Sequence, residues 1–238
     1  MGRGLALAVH AYACCAFAVV LHAYACCAFA LQRSALPIRR RSERASSSLF
    51  DDDDDDAVRV RFETTIGDFH VNLDRALSPI GVGHFLGLIS DRFFDEMVLW
   101  RVVPGALVQW GIAADPAAMQ RWDPRLGAPI APLPDEPNLA PFRAGTFSYA
   151  GAGENSRCCH FFVALDPTAA RLGEAPHETT LGYAEEPDFF DRVVDLYRGA
   201  GYDETLDAGA FAADLSQVGN EAAAPYPDLV RIASCTVC

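Results

Sequence analysis

A chain of 238 residues with 51% hydrophobic and 21% charged side chains has the length for one or two domains and enough apolar content to bury a core, which excludes a disordered chain, a collagen-like repeat and a disulfide mini-protein. Its formal net charge of −13 repels phosphate and argues against nucleic acid as a partner. All 19 basic residues are Arg, which excludes Schiff-base chemistry, a lysine-bearing P-loop and a kinase lysine.

Charge divides the chain near position 50. Residues 1–50 carry six Arg and one Glu, residues 51–56 are six Asp, and residues 57–238 carry 13 Arg against 25 acidic residues. Residues 4–32 have no formal charge and contain a direct repeat, in which residues 10–18 recur as residues 22–30. Two copies are too few for a repeat fold. The length suits a bilayer-spanning helix or a long signal-peptide apolar region after Arg3. The tract 29–50 is rich in Arg and Ser, with Glu43 its one acid, a transit-peptide composition. An apolar leader, then Ala28-Phe29-Ala30, then an Arg/Ser tract resembles the bipartite presequences of complex plastids, with the cut between Ala28 and Phe29. Residues 1–50 are therefore expected to be a targeting presequence, signal-like over 1–28 and transit-like over 29–50, with a plastid destination. Secretion or an uncleaved membrane anchor are the alternatives, and contact with a membrane is expected only if this segment is retained. Residues 51–56 read as a solvated acidic linker, because the run lacks the ligand spacing and Gly of a calcium loop.

Residues 57–238 are the expected folded domain. Residues 58–64 alternate apolar and polar, as a half-buried strand does. Ile66-Gly67-Asp68 is a turn and residues 69–73 alternate again, which predicts a hairpin. Ser78-Pro79 marks a helix start, and apolar spacing carries the helix through residues 80–89. Residues 97–103 are a strand, Pro104-Gly105 a turn and residues 106–112 the returning strand. Residues 113–143, rich in Pro, Asp and Ala, are a long surface excursion. Residues 146–150 and 161–165 are short strands. Residues 187–197 form a second helix on apolar positions 189, 190, 193, 194 and 197, residues 199–227 are loop, and residues 229–233 are a closing strand. Many short strands with two helices predict an antiparallel barrel or sheet with helical caps.

Chemical motifs are sparse. There is no G-x-S-x-G, no H-E-x-x-H and no clustered carboxylate pair. Outside the leader only His70, His84, His160 and His177 remain, and no pair has metal-ligand spacing, so neither a metal nor a cofactor is expected. Cys158-Cys159 reads as a structural thiol pair. Cys235-x-x-Cys238 has redox spacing, yet reactive pairs of that kind sit at helix N-termini and this one ends a strand at the chain terminus; a thiol oxidoreductase is a minor alternative. Residues 151–155 are turn-rich but lead into a strand, which leaves a phosphate cradle without its helix. Residues 99–111 are more specific. They set Arg101 and Gln109 on paired strands around Pro104-Gly105, and by alternation Leu99, Arg101 and Val103 share one face while Leu107 and Gln109 share a face on the return. A cationic donor and an amide then stand beside apolar side chains. On spacing alone, an edge Arg paired with one of many surface acids is the simpler reading.

The stretch Leu99-Trp-Arg-Val-Val-Pro-Gly-Ala-Leu-Val-Gln-Trp-Gly111 resembles the signature of the cyclophilin-type peptidyl-prolyl isomerases, and further matches follow in order. Residues 62–69 resemble that family's opening hairpin, residues 78–88 its first helix, and residues 145–156 and 159–163 its second signature. Residues 111–116, Arg121-Trp122, and residues 193–199, 217–220 and 226–233 resemble a divergent subgroup. The resemblance covers about 57–238 and implies a mainly β fold, a closed eight-stranded antiparallel barrel capped by two helices. It implies a cofactor-free, monomeric peptidyl-prolyl cis-trans isomerase that acts on X–Pro bonds of Pro-containing segments and assists protein folding. Arg101 matches the catalytic Arg, Gln109 the substrate-orienting amide, Leu107 and Phe162 apolar pocket walls, and Ala150, Gly151 and Ala152 the backbone rim. Ala106 stands where the family usually has Phe, and His160 where it usually has Gln. The family's far wall and its His have no evident counterpart, although Leu172, Glu178 and Leu181 lie in that neighbourhood. Trp100 and Trp110 either refill the pocket or belong to the core. These departures imply reduced or altered activity, count against cyclosporin-type binding, and keep a catalytically weak binding or scaffold domain as the alternative.

Overall fold

Alternation in the first folded residues produces the expected hairpin. In the computed structural model, which describes residues 56–238, β1 (Ala57–Thr64) pairs antiparallel with β2 (Phe69–Asp74), and Phe62 lies opposite Phe69. The expected presequence over residues 1–50 and residues 51–55 of the expected linker lie outside the described residues. The elements that follow are α1 (Pro79–Ser90), β3 (Met97–Val98), β4 (Arg101–Val103), β5 (Leu107–Trp110), α2 (Pro116–Trp122), β6 (Thr146–Tyr149), β7 (Phe161–Ala164), α3 (Pro167–Ala170), β8 (Thr180–Ala184), α4 (Pro187–Gly199), α5 (Tyr202–Thr205), α6 (Ala208–Val218) and β9 (Arg231–Val237). Among the described residues no helix is long and apolar enough to cross a membrane.

The strands form one nine-stranded antiparallel sheet in the order β3-β9-β1-β2-β8-β6-β7-β5-β4. It curls into an open half-barrel, which corrects the expected closed barrel of eight strands. The single strand expected over residues 97–103 breaks at Leu99-Trp100. Its first part, β3, pairs with β9, and its second part, β4, pairs with β5. The two edges of the sheet are thus strands two residues apart in the chain that share no ladder. Leu99 N–H donates instead to the Val230 carbonyl at 2.9 Å.

Two further departures have local causes. Residues 199–227 are not a loop: they hold α5 and α6. The Asp207 carboxylate caps α6 by accepting from Gly209 N–H (2.9 Å) and Ala210 N–H (3.0 Å), and Phe211 and Leu215, one helical turn apart, are buried. β8 carries no clear strand pattern because Gly182 interrupts it. A Cβ there would overlap the Asn72 carbonyl of β2, so the residue that hides the strand is also what lets β2 and β8 pair closely.

The main core joins one face of the sheet to α1 and α4. Phe62 stacks on Phe69 with ring centroids 4.6 Å apart, and Trp110 on Phe147 at 5.6 Å. α1 contributes Phe85, and α4 contributes Phe189, Phe190, Val193, Val194 and Tyr197, all buried.

The start of α1 is capped from a distance. Ser78 does not cap the helix with its own side chain. Its hydroxyl donates to Glu136, from the excursion between β5 and β6, and the Glu136 carboxylate accepts from Ile80 N–H (2.8 Å) and Gly81 N–H (3.0 Å). Arg157, fully buried, donates to the same carboxylate at 3.0 Å and to the Pro134 carbonyl. Burial alone would raise the Glu136 carboxyl, but these donors outweigh it and hold its pKa below the usual value. Removing one partner of a buried pair strands the other's charge, at about 3–5 kcal/mol. Urea denaturation should therefore show a loss of that size for Glu136→Gln and a partial recovery when Arg157→Met is added. Stability of the parent should also fall as the pH drops below the ordinary Glu range, because a carboxylate with a depressed folded pKa must then be protonated. A Glu136→Gln variant as stable as the parent would contradict both expectations.

Candidate active site

Strand register builds the site. Across β4, β5, β7 and β6, Arg101 lies opposite Gln109, Gln109 opposite Phe162 and Phe162 opposite Ser148. One row along, Val103 lies opposite Leu107 and Leu107 opposite Ala164. Paired residues and their i, i+2 neighbours share a face of a sheet. These side chains therefore lie on one face, and Val108, Trp110, Phe147, Phe161 and Val163 fill the main core on the other. Leu99, expected beside Arg101, belongs to the main core, because the break at Leu99-Trp100 ends the alternation there.

Arg101 Nη1 donates to Gln109 Oε1 at 2.9 Å. Burial of the guanidinium pushes its pKa down, although an Arg remains charged at neutral pH. Among the described residues no acid forms an ion pair with it, so Arg101 is not an edge Arg serving a surface carboxylate. A guanidinium has five N–H donors. Held in plane by a neutral amide, this one keeps most of them for a guest.

Beside this pair, Leu107, Phe162 and Ala164 form a buried apolar cluster separate from the main core, with Val103, Ala106, Phe142, Ala150 and Leu172 packed against it. The Phe142 and Phe162 ring centroids are 6.1 Å apart. Val103 shares the Arg101 face as alternation predicts, whereas Phe142 and Ala164 were not marked by the sequence. Phe142 is the lone aromatic between α2 and β6, which is the one signal it offers. Of the residues expected near the far wall, Leu172 joins the cluster. Leu181 belongs to the main core, and Glu178 accepts backbone N–H groups of Gly173 (2.6 Å) and Ala175 (3.3 Å). Trp110 is buried in the main core, as is most of Trp100, so neither refills the space left by Ala106.

A cavity of about 360 Å³ adjoins the pair, with Gln109, Ala150, Gly151, His160 and Trp100 in its wall, and Ala212 and Ser216 of α6 opposite. Ala152 lies outside it and commits its N–H to Ser156 Oγ at 2.8 Å. The position of His160 follows from Gly111, which ends β5 at φ 117° and lies so close to the Cys159–His160 backbone that a Cβ would overlap it. His160 Nε2 faces Asp123 Oδ2 at 3.3 Å and touches the Arg125 guanidinium. Burial pushes the His160 pKa down, against the opposing pull of Asp123, so the ring is neutral at pH 7. Burial would raise the Asp123 carboxyl, but hydrogen bonds from His160 and Arg125 hold it well below the usual carboxylate range. Cys235 and Cys238 are free thiols on and just beyond β9, one buried and one exposed. Burial pushes the Cys235 thiol well up, the reverse of what a reactive pair needs.

The model of the cyclophilin type peptidyl-prolyl cis-trans isomerase/CLD family matches residues 59–186. A peptidyl-prolyl cis-trans isomerase of Synechococcus elongatus is 30% identical over 137 residues, 58% of this chain and 87% of that protein. A peptidyl-prolyl cis-trans isomerase-like 1 of Aspergillus niger is 30% identical over 111 residues, 47% of this chain and 67% of that protein. A solved cyclophilin type peptidyl-prolyl cis-trans isomerase of Cryptosporidium parvum aligns with a TM-score of 0.48 at 17% identity, over 76% of this chain and 98% of that one. The matched residues make up more than half of the chain and include the whole Arg101–Gln109–Phe162 row, and the chain belongs to the cyclophilin-type peptidyl-prolyl cis-trans isomerase family.

Proposed function

We propose that the Arg101–Gln109 row catalyses cis-trans isomerisation of X–Pro bonds, with the proline ring seated on the Leu107–Phe162 patch. The observation that carries this reading is a half-buried guanidinium held by an amide, with no acid partner among the described residues, beside an isolated apolar cluster. No bond is made or broken in the reaction. The barrier is the loss of amide resonance as the C–N bond twists, and twisting returns a lone pair to the prolyl nitrogen. A donor aimed at that nitrogen stabilises the twisted form more than the planar one, which is what lowers a barrier. Shortening an isomerisation from about 100 s to about 1 ms takes about 7 kcal/mol, within the reach of a desolvated cationic hydrogen bond plus positioning.

A second reading, a domain that holds Pro-containing segments without turning them over, applies if the seat left incomplete by Ala106 does not bring the prolyl nitrogen to Arg101. Prolyl exchange on a short Pro peptide separates the two. The parent should accelerate exchange, and Arg101→Ala should lose at least about 100-fold of that acceleration. Full turnover in Arg101→Ala would end the mechanism, and peptide binding without acceleration by the parent would establish the binding domain. Ala106→Phe should lower KM by completing the seat, whereas an unchanged KM would mean that Phe142 and Leu172 already close it.

We also propose that residues 1–50 direct the chain to a plastid, a reading supported by the order of apolar leader and Arg/Ser tract. N-terminal sequencing of the protein from its own cells should find a start beyond residue 28; recovery of an intact Met1 in the mature protein would overturn it.

A further inference from the structure

We propose that Asp123, Cys158, Cys159 and His160 form a binding site for a thiophilic divalent cation, zinc in the first instance. Each of these buried side chains offers one ligand atom, and the four atoms lie within 4.8 Å of one another. Two edges of this cluster match those of a coordination tetrahedron. With Zn–S of about 2.3 Å and Zn–N and Zn–O of about 2.0 Å, a tetrahedral site has S···S edges of about 3.8 Å and N···O edges of about 3.3 Å. The Cys158 and Cys159 sulfurs are 3.7 Å apart, and His160 Nε2 and Asp123 Oδ2 are 3.3 Å apart. Cys158 Sγ lies 3.9 Å from the other Asp123 oxygen, Oδ1, so the carboxylate spans the thiol and imidazole sides of the cluster.

This arrangement is not what adjacent cysteines give by default. Neighbours in a regular strand point to opposite faces. The chain instead bends at Cys158 and Cys159 before β7 begins, which brings both sulfurs to one side. Histidine spacing showed no metal site because the fourth ligand, Asp123, comes from the end of α2, 35 residues before Cys158. Two thiols with an imidazole and a carboxylate favour zinc over magnesium or calcium, which take oxygen ligands. Asp123 and His160 also border the cavity beside Gln109, which gives an ion a way in.

A cation already sits at this cluster. The Arg125 guanidinium donates to both Asp123 oxygens, at 2.9 and 2.6 Å, and touches His160. Its side chain is 59% exposed, so it has room to withdraw. As the ion binds, Cys158 and Cys159 each release a proton to solvent, His160 coordinates through Nε2 as neutral imidazole, and Asp123 coordinates as carboxylate. The three anionic ligands leave the zinc complex one negative charge, which Arg125 neutralises from outside.

The test is metal binding by the full chain, under a phosphine reductant, with Cys14, Cys15, Cys26 and Cys27 changed to Ser so that leader thiols do not compete. Equilibrium dialysis should find one zinc per chain. Cobalt(II) in its place should show a thiolate-to-metal charge-transfer band and the visible bands of a tetrahedral ion. Cys158→Ser and His160→Gln should each weaken zinc binding at least about tenfold, whereas Cys238→Ser, which alters an exposed thiol, should leave it unchanged. If the Cys variant fails to fold, His160→Gln decides, since Gln cannot supply the imidazole ligand. Substoichiometric zinc in the parent, parental affinity in His160→Gln, or an equal loss in Cys238→Ser would each overturn the site. None of these readouts involves turnover, so the outcome stands apart from the isomerase reading.

Discussion

The buried pair of Arg157 and Glu136 is the constraint on which the functional half of the molecule depends. Burying two charges costs several kcal/mol per ion, and attraction offsets that only with good geometry and further hydrogen bonds. Both conditions hold. Glu136 takes donors from Ser78 and from two N–H groups at the start of α1, where the helix end favours negative charge. Arg157 adds the Pro134 carbonyl and lies 5.4 Å from the Tyr149 ring centre. The pair thereby joins three segments distant in sequence: α1, the excursion between β5 and β6, and the loop that leads into β7. Arg157 immediately precedes the Cys158–Cys159 bend, so its anchoring sets where His160 and Phe162 emerge.

Downstream of that anchor, function is separated from stability by strand alternation. One face of β5 and β7 carries Val108, Trp110, Phe161 and Val163 into the main core, and the other carries Leu107, Gln109, Phe162 and Ala164 toward the site. A guest on the second face need not disturb the first. The break at Leu99-Trp100 serves the same separation. It turns Leu99 into the core and leaves Arg101 free to lie against Gln109, which an unbroken strand would not do for both residues.

Where periodicity was strong, the sequence was enough to read the fold. β1 and β2 showed through alternation, α1 through its Ser-Pro start, and α4 through apolar positions that are all buried. The remainder depended on contacts between distant residues. β8 was hidden by Gly182, whose role is the absence of a side chain against β2. α6 was hidden by its Ala and Gly content, since its cap is Asp207 and its buried face is only Phe211 and Leu215. At the site, the Arg101–Gln109 pairing followed from a tight turn between two strands, a local feature. Phe142 and Asp123 followed from how a Pro-rich excursion folds back, which local pattern does not encode. Trp100 and Trp110 showed the converse limit, because residue type alone did not say which face of the sheet they would take.

The two readings of the site differ in which energy term they weigh. An apolar wall contacts the proline ring about equally in the planar and the twisted amide, so it contributes uniform binding and acts chiefly on KM. A donor that meets the prolyl nitrogen only when its lone pair is free acts on kcat. Ala106 belongs to the first kind and Arg101 to the second. A missing wall beside an intact donor therefore describes an enzyme that holds its substrate loosely and still turns it over, not a binding domain with a vestigial Arg. A scaffold under no demand for catalysis would need the walls and could dispense with the guanidinium. This chain holds a half-buried guanidinium, at the cost of partly desolvating it, and lacks a wall.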